Sequence, residues 1–503
     1  MMARSIGIGI LAAALMLGSS LAHASTLRIA LNEDPDALDP ASGVSFAGRV
    51  VFASLCDKLV DIDARLNYLP QLATEWSWSA DNLTLTMKLR SGVVFQDGEP
   101  FDAEAVKYNI ERYQNAPFSK RKTELKQVKS VEAIDPTTVA FHLSEPSAPL
   151  IGVLSDRAGM MVSPKAGTTA GDKFGANPVC AGPYKFRSRV AQEKITVERF
   201  DRYWNRAAIG IDEVEFVPVP DSAVRLANLK SGGFDIIERV PPTDAPAIAS
   251  DQRLKLVESP ATLSYHISIN LVGPQVAPPL AQDARVREAL DAAIDRTVLN
   301  QVVFNGKYVP NNQPILPGSS YYDADIPVPP RDLAKAKGLL REAGVEYPAF
   351  TLLVANSPID QQVAQVIQSM VGEAGFDMKI QAVEANTLVA AAQKGDYQAT
   401  LVFWSGRPDP DGNISIWLQC DGSLNWGHYC NPKVDEALAK ARQVTEPKER
   451  LKYYKDAANL YLADHAYLFL YHIKWIWGTT ARLDGFSPGV DGLIRPQGMT
   501  LKP

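Results

Sequence analysis

A chain of 503 residues that is 46% apolar and 21% charged, without a low-complexity tract, has the makeup of a folded globular protein with sequence enough for roughly three domain-sized units. Its net charge of −6 and its lack of a basic stripe argue against a phosphate-neutralising surface, so nucleic acid is not an expected partner. At the N-terminus Arg4 precedes the apolar run 6–17, and Ala22-His23-Ala24 follows. A positive start, an apolar stretch of about a dozen residues and a small-x-small site make a cleavable secretion signal, and the stretch falls short of the ~20 residues a membrane helix needs. Cleavage is expected after Ala24. No Cys adjoins the cut, so the mature chain is expected free in the periplasm rather than lipid-anchored.

The next residues, 26–31, alternate as a strand, and 32–40 break into a loop containing Glu33, Asp34, Pro35 and Pro40. Two alternating runs between 76 and 90 flank the turn 80–82 and predict a hairpin. Asp102 is placed to cap a helix whose apolar positions Ala105, Val106, Ile110 and Tyr113 recur at helical spacing. Further on, helices are predicted at 283–303, 332–343 and 360–374, and strands at 213–219, 350–355 and 400–404. This alternation is an α/β pattern.

Cys56, Cys180, Cys420 and Cys430 are an even set in a secreted chain, which favours disulfides. Cys420 and Cys430 bracket a short polar loop and should pair locally, leaving Cys56 for Cys180. The local bridge stabilises by at most about 3 kcal/mol. The spacing is a poor fit to zinc, and neither metal nor cofactor is expected. No catalytic constellation is present: G-x-S-x-G, H-E-x-x-H, phosphate-loop and dinucleotide motifs are missing, and His142, His266, His428, His465 and His472 show no i, i+4 pairing. Asp409 and Asp411 lie in a Pro-rich loop, where a turn or hydrogen-bonding rim is expected rather than acid–base work.

One ordered series of segments carries a resemblance. Ala73, Asp81, 84–90, Gly92, Phe95, Asp97-Gly98, Phe101 and Ala105-Val106 come first; Gly182-Pro183-Tyr184, Leu229 to Gly232 with Asp235, Val286 to Leu290 with 293–296, and Ala334 to Ala336 with Gly344 follow. Together they resemble the peptide, nickel and opine class of extracellular solute-binding proteins, family 5. The resemblance implies a non-enzymatic, monomeric receptor that closes two α/β lobes of the type II periplasmic-binding-protein fold around a small ligand and presents it to an ABC permease. It also implies an additional domain inserted in the first lobe. The pieces fall at 25–58, 176–262 and 478–503 for the first lobe, 59–175 for the additional domain and 263–477 for the second lobe, with hinges near 263–270 and 475–479.

In that family the loop after a Trp-Ser/Thr-Gly triplet bears an acidic residue that holds a peptide's amino group. Here the loop reads Trp404-Ser405-Gly406-Arg407, and Arg407 stands where the acid is expected. A guanidinium repels an ammonium group and can grip a carboxylate with two parallel N–H bonds, so a ligand bearing a carboxylate is expected, opine-like, peptide-like or a modified amino acid. Alternatively Arg407 pairs with Asp409 or Asp411 in its own loop, and Asp411 caps the helix that follows. Trp404, Trp426, Tyr265, His266, Glu33 and Asp34 complete the candidate site, with a core role the competing reading for His266. The rival functions are an ordinary di- or oligopeptide receptor and a periplasmic hydrolase or peptide-holding chaperone.

Overall fold

The computed structural model describes residues 25–502, apart from 64–65, 320 and 445. The secretion signal expected at 1–24 lies outside the described residues. Among those described, no helix is long and apolar enough to cross a membrane.

An eleven-stranded sheet organises the molecule. At one end Thr26–Leu31 runs parallel to Glu213–Pro218 and to Ile236–Ile237, with the antiparallel strands Lys194–Arg199 and Tyr184–Val190 beyond. At the other, Ala349–Ala355 lies parallel to both Asp377–Val383 and Ala399–Trp404. Two long antiparallel strands, Leu254–Ile269 and Tyr467–Thr480, join these halves. Gly478 and Thr479 pair with Ile236–Ile237, whereas 264–269 pair with Ala399–Trp404, so each strand passes from one lobe into the other. Their mutual register shifts between Pro260 and Ser264, where proline supplies no N–H donor.

A separate four-stranded antiparallel sheet combines Ala73–Trp78, Thr84–Leu89, Thr138–Leu143 and Val128–Asp135. Leu85, Met87, Val139 and Phe141 form its core with Val106, Ile110 and Tyr113 of the helix Ala103–Asn115. Asp102 caps that helix by accepting from the Ala105 N–H. Asp156 lies between Leu154 and Ala158, whose side chains belong to the same core.

Several predicted elements need correction. The helix expected at 283–303 is two, Ala284–Ala292 and Arg296–Phe304, because Asp295 takes up extended geometry and its carboxylate caps the second by accepting from the Thr297 and Val298 N–H groups. Asp411 is not a cap. It begins the helix Asp411–Leu418, and its Oδ1 accepts from Ser415 and Arg442 instead of from the helix's own N–H groups. Both expected disulfides are present, Cys56–Cys180 and Cys420–Cys430.

Candidate functional site

A cavity of 310 Å³ lies where the two lobes face each other. The first lobe contributes Asn32, Glu33, Asp34, Phe46 and Arg239, and the second Tyr265, Asp360, Phe403, Trp404, Trp417 and Trp426. Aromatic faces thus surround a few polar groups, the usual composition of a small-molecule site. The position of these groups follows from the sheet. Glu33 and Asp34 leave the end of Thr26–Leu31, Arg239 follows the short strand Ile236–Ile237 beside it, and Tyr265 sits on the strand that crosses to the other lobe.

Arg239 is the central charge. Its backbone has φ 50°, in the left-handed region that a long side chain rarely occupies, and strain of this kind clusters at binding sites. The guanidinium carbon stands 4.1 Å from the centre of the Phe403 ring and 5.2 Å from that of Phe46. With the Asn32 amide turned so that its nitrogen donates to Glu238, its oxygen accepts from Arg239 Nη1 at 3.1 Å. Nε and Nη2 are buried and have no hydrogen-bond partner among the described residues. Two acids flank this cation. Burial, reinforced by the charges of Glu238 and Asp36, pushes the Glu33 carboxyl up to about 7 against the pull of Arg239 and the Ala47 N–H. Burial also raises Asp360, whose Oδ2 accepts from Ser357 Oγ at 2.7 Å.

The sequence-predicted residues divide. Tyr265, Trp404, Trp426, Glu33 and Asp34 line the cavity, with Tyr265 stacked on Tyr471 and Asp34 held by Arg189 Nη2 at 2.9 Å. His266 does not line it; it is packed against Trp417, Tyr467 and Phe469, and burial lowers its pKa to about 3. Asp409 and Asp411 are ion-paired to Arg450 and Arg442 at 2.8 Å each, so the pairing of Arg407 inside its own loop is not found. Arg407 Nε instead meets Asp156 Oδ2 of the additional domain at 2.5 Å, and its guanidinium lies 4.0 Å over Trp404. Arg49 of the first lobe closes the group, reaching Asp156 Oδ1 at 3.1 Å and Ser405 Oγ at 2.9 Å. Asn413 fixes this loop by accepting from Trp404 Nε1 and the Arg407 N–H.

Sequence reasoning missed Arg239, Asp360 and Asp156. For two of them a signal existed: Glu238-Arg239 and Asp156-Arg157 are charged pairs embedded in apolar stretches, which a burial pattern turns inward.

The bridge Cys420–Cys430 closes the segment that carries Leu424 and Trp426 into the cavity. Replacing both cysteines by Ser should lower unfolding stability by at most about 3 kcal/mol. The smaller the loss, the more of the loop's order comes from Asn425, whose Nδ2 donates to Gln419 O and Tyr429 O. Denaturant titration of the two proteins measures it.

A cavity between two lobes, held by strands that cross from one to the other, is built to retain a guest. The comparisons agree. The sequence profile of the bacterial extracellular solute-binding proteins, family 5 Middle, matches residues 67–425. The glutathione-binding protein GsiB of Pectobacterium atrosepticum is 31% identical over 97% of this chain and 96% of its own. GsiB of Escherichia coli O1:K1 / APEC is 30% identical over 96% and 95%. Among solved structures, the periplasmic binding protein AgaA of A. tumefaciens R10, in complex with agropinic acid, superposes with a TM-score of 0.85 at 26% identity over 95% of this chain and 99% of that one. The murein tripeptide binding protein MppA of Escherichia coli shares the fold with a TM-score of 0.88, 24% identity and coverage of 95% and 99%. With the profile spanning most of the chain and full-length relatives at 30% identity or more, the chain belongs to family 5 of the bacterial extracellular solute-binding proteins and is the substrate-binding component of an ABC importer, not an enzyme.

Proposed function

We propose that this importer component captures, as a periplasmic monomer, a small zwitterionic ligand carrying a carboxylate, peptide-like or opine-like, and that Arg239 receives the carboxylate. The supporting observation is the pair of buried, unpartnered guanidinium nitrogens of Arg239 in the interlobe cavity. A buried charged donor without a partner is costly, and a carboxylate accepting from both nitrogens removes that cost. Arg407, already facing Asp156, is assigned to lobe closure rather than to the ligand. Glutathione-binding relatives and the agropinic acid complex of AgaA are consistent with such a guest. The domain boundaries near 262 and 477 are the points about which the lobes close, and the closed form is what the permease receives. Mass spectrometry of small molecules released by denaturing the purified protein tests the reading: a guest without a carboxylate would defeat it.

A ligand amine belongs beside Glu33 and Asp360, and this predicts a pH dependence. In the free protein Glu33 is half protonated near pH 7. An ammonium group next to it favours the carboxylate and lowers that pKa, so binding releases a proton when the pH is below about 7. Affinity should therefore rise from pH 5 to pH 8 and level off above. Calorimetry at pH 6 in buffers of different ionisation enthalpy should register the released proton, and Glu33→Gln should flatten the profile.

A further inference from the structure

We infer that a second anion-binding cavity adjoins the first, and that the ligand carries two carboxylates and one protonated amine. The inference rests on the assignment of the first carboxylate to Arg239. A cavity of 170 Å³ shares Val44, Trp404, Leu424 and Trp426 with the larger one, so one guest can reach both. Its remaining charged wall is Lys120, Arg121, Arg157 and Arg407 against Glu124 alone.

The neighbouring charges do not balance this wall. Asp156 faces both Arg407 and Arg49, and Glu124 accepts from Arg121 Nη1 at 2.6 Å, which leaves five cations, Arg49 included, against two carboxylates. Arg121 and Arg157 are 3% and 2% exposed, and the Nε of each is buried with no hydrogen-bond partner among the described residues. Arg157 donates from Nη1 only to a neutral acceptor, Gly43 O, at 3.1 Å. Burial, then repulsion from Arg121, bring Arg157 down to about 10, which still leaves it charged at neutral pH. A cluster of buried cations with unused donors is strongly unfavourable by itself, and an anion entering beside Arg121 and Arg157 supplies both the missing charge and the missing acceptors. An amino-acid conjugate with an acid at each end would place one carboxylate here, the other on Arg239, and its amine by Glu33.

Calorimetry with glutathione, which has two carboxylates and one amine, and with its glycine monoethyl ester tests this. The wild-type protein should bind the diacid at least about tenfold more tightly than the ester, the loss of one charge-assisted contact. Arg121→Gln and Arg239→Ala should then behave differently: one abolishes the preference, and the other weakens both compounds by a similar factor. Lys120→Ala, at an exposed position, should shift affinity in the direction of Arg121→Gln and guards against a folding defect in that variant. Equal wild-type affinity for diacid and ester, or unchanged affinities in both Arg121→Gln and Lys120→Ala, would overturn the second anion site. An Arg239→Ala protein that binds as well as wild type would remove only the first assignment, and failure of both compounds to bind would remove the two together.

Discussion

Replacing Arg239 by Ala is expected to weaken binding of the ligand released from the wild-type protein by at least about 30-fold, because truncating one member of a buried charge pair costs about 2–5 kcal/mol. Part of that figure is the penalty of leaving a ligand carboxylate desolvated against Phe46 and Phe403, the rings on which the guanidinium rests. Arg239→Lys should recover charge but not affinity in full, since an ammonium cannot present two parallel donors in the place of Nε and Nη2. A second consequence separates this role from a structural one. Arg239 is the attraction that opposes burial at Glu33, so its removal should move the pH midpoint of the free protein's Glu33 above 7, readable by carboxyl-labelled NMR titration. Affinities of wild type and Arg239→Ala within threefold of each other would take Arg239 out of the site.

Much of the architecture could be read from residue order, and the reason is local. Asp102 announces a helix start wherever the chain goes, and alternation in 84–89 specifies a strand with one face inside. The apolar rim of the site was accessible in the same way, through Trp404 and Trp426. The charges were harder. Arg407 attracts attention by replacing an expected acid, yet its partner Asp156 is 251 positions earlier in another domain, and nothing near either residue announces the meeting. Arg239 depends on a backbone turned to φ 50° and on Asn32, just past the end of the neighbouring strand Thr26–Leu31, both products of the folded sheet. Asp409 and Asp411 misled for the opposite reason: their loop neighbours looked like partners, whereas Arg450 and Arg442 arrive from helices that follow later in the chain.

The pairing of Arg407 with Asp156 makes a strong prediction about closure. Asp156 Oδ1 and Oδ2 each face one guanidinium, Arg49 from the first lobe and Arg407 from the second, and side chains of all three are less than a tenth exposed. Burial alone would raise the Asp156 pKa, but Arg407 and Arg49 outweigh it and hold the carboxyl well below its ordinary range, so it is an anion at every physiological pH. Asp156→Asn keeps the shape and removes the charge, leaving two guanidinium groups confronting each other where water is scarce. Breaking a buried pair in this way costs about 3–5 kcal/mol. Here the part of the cost that falls on Arg407 applies only while the lobes are together, whereas the lost Arg49 contact remains in the open form. The variant should therefore shift toward the open form, with a larger radius of gyration in small-angle scattering and ligand affinity reduced by about 100-fold or more, the same free energy expressed as a population. Its melting temperature without ligand should change far less than a core lesion of equal size would produce, because the lobes can separate without unfolding. A compact scattering profile identical to that of wild type, together with a large drop in melting temperature, would make Asp156 an ordinary structural anchor of its own domain.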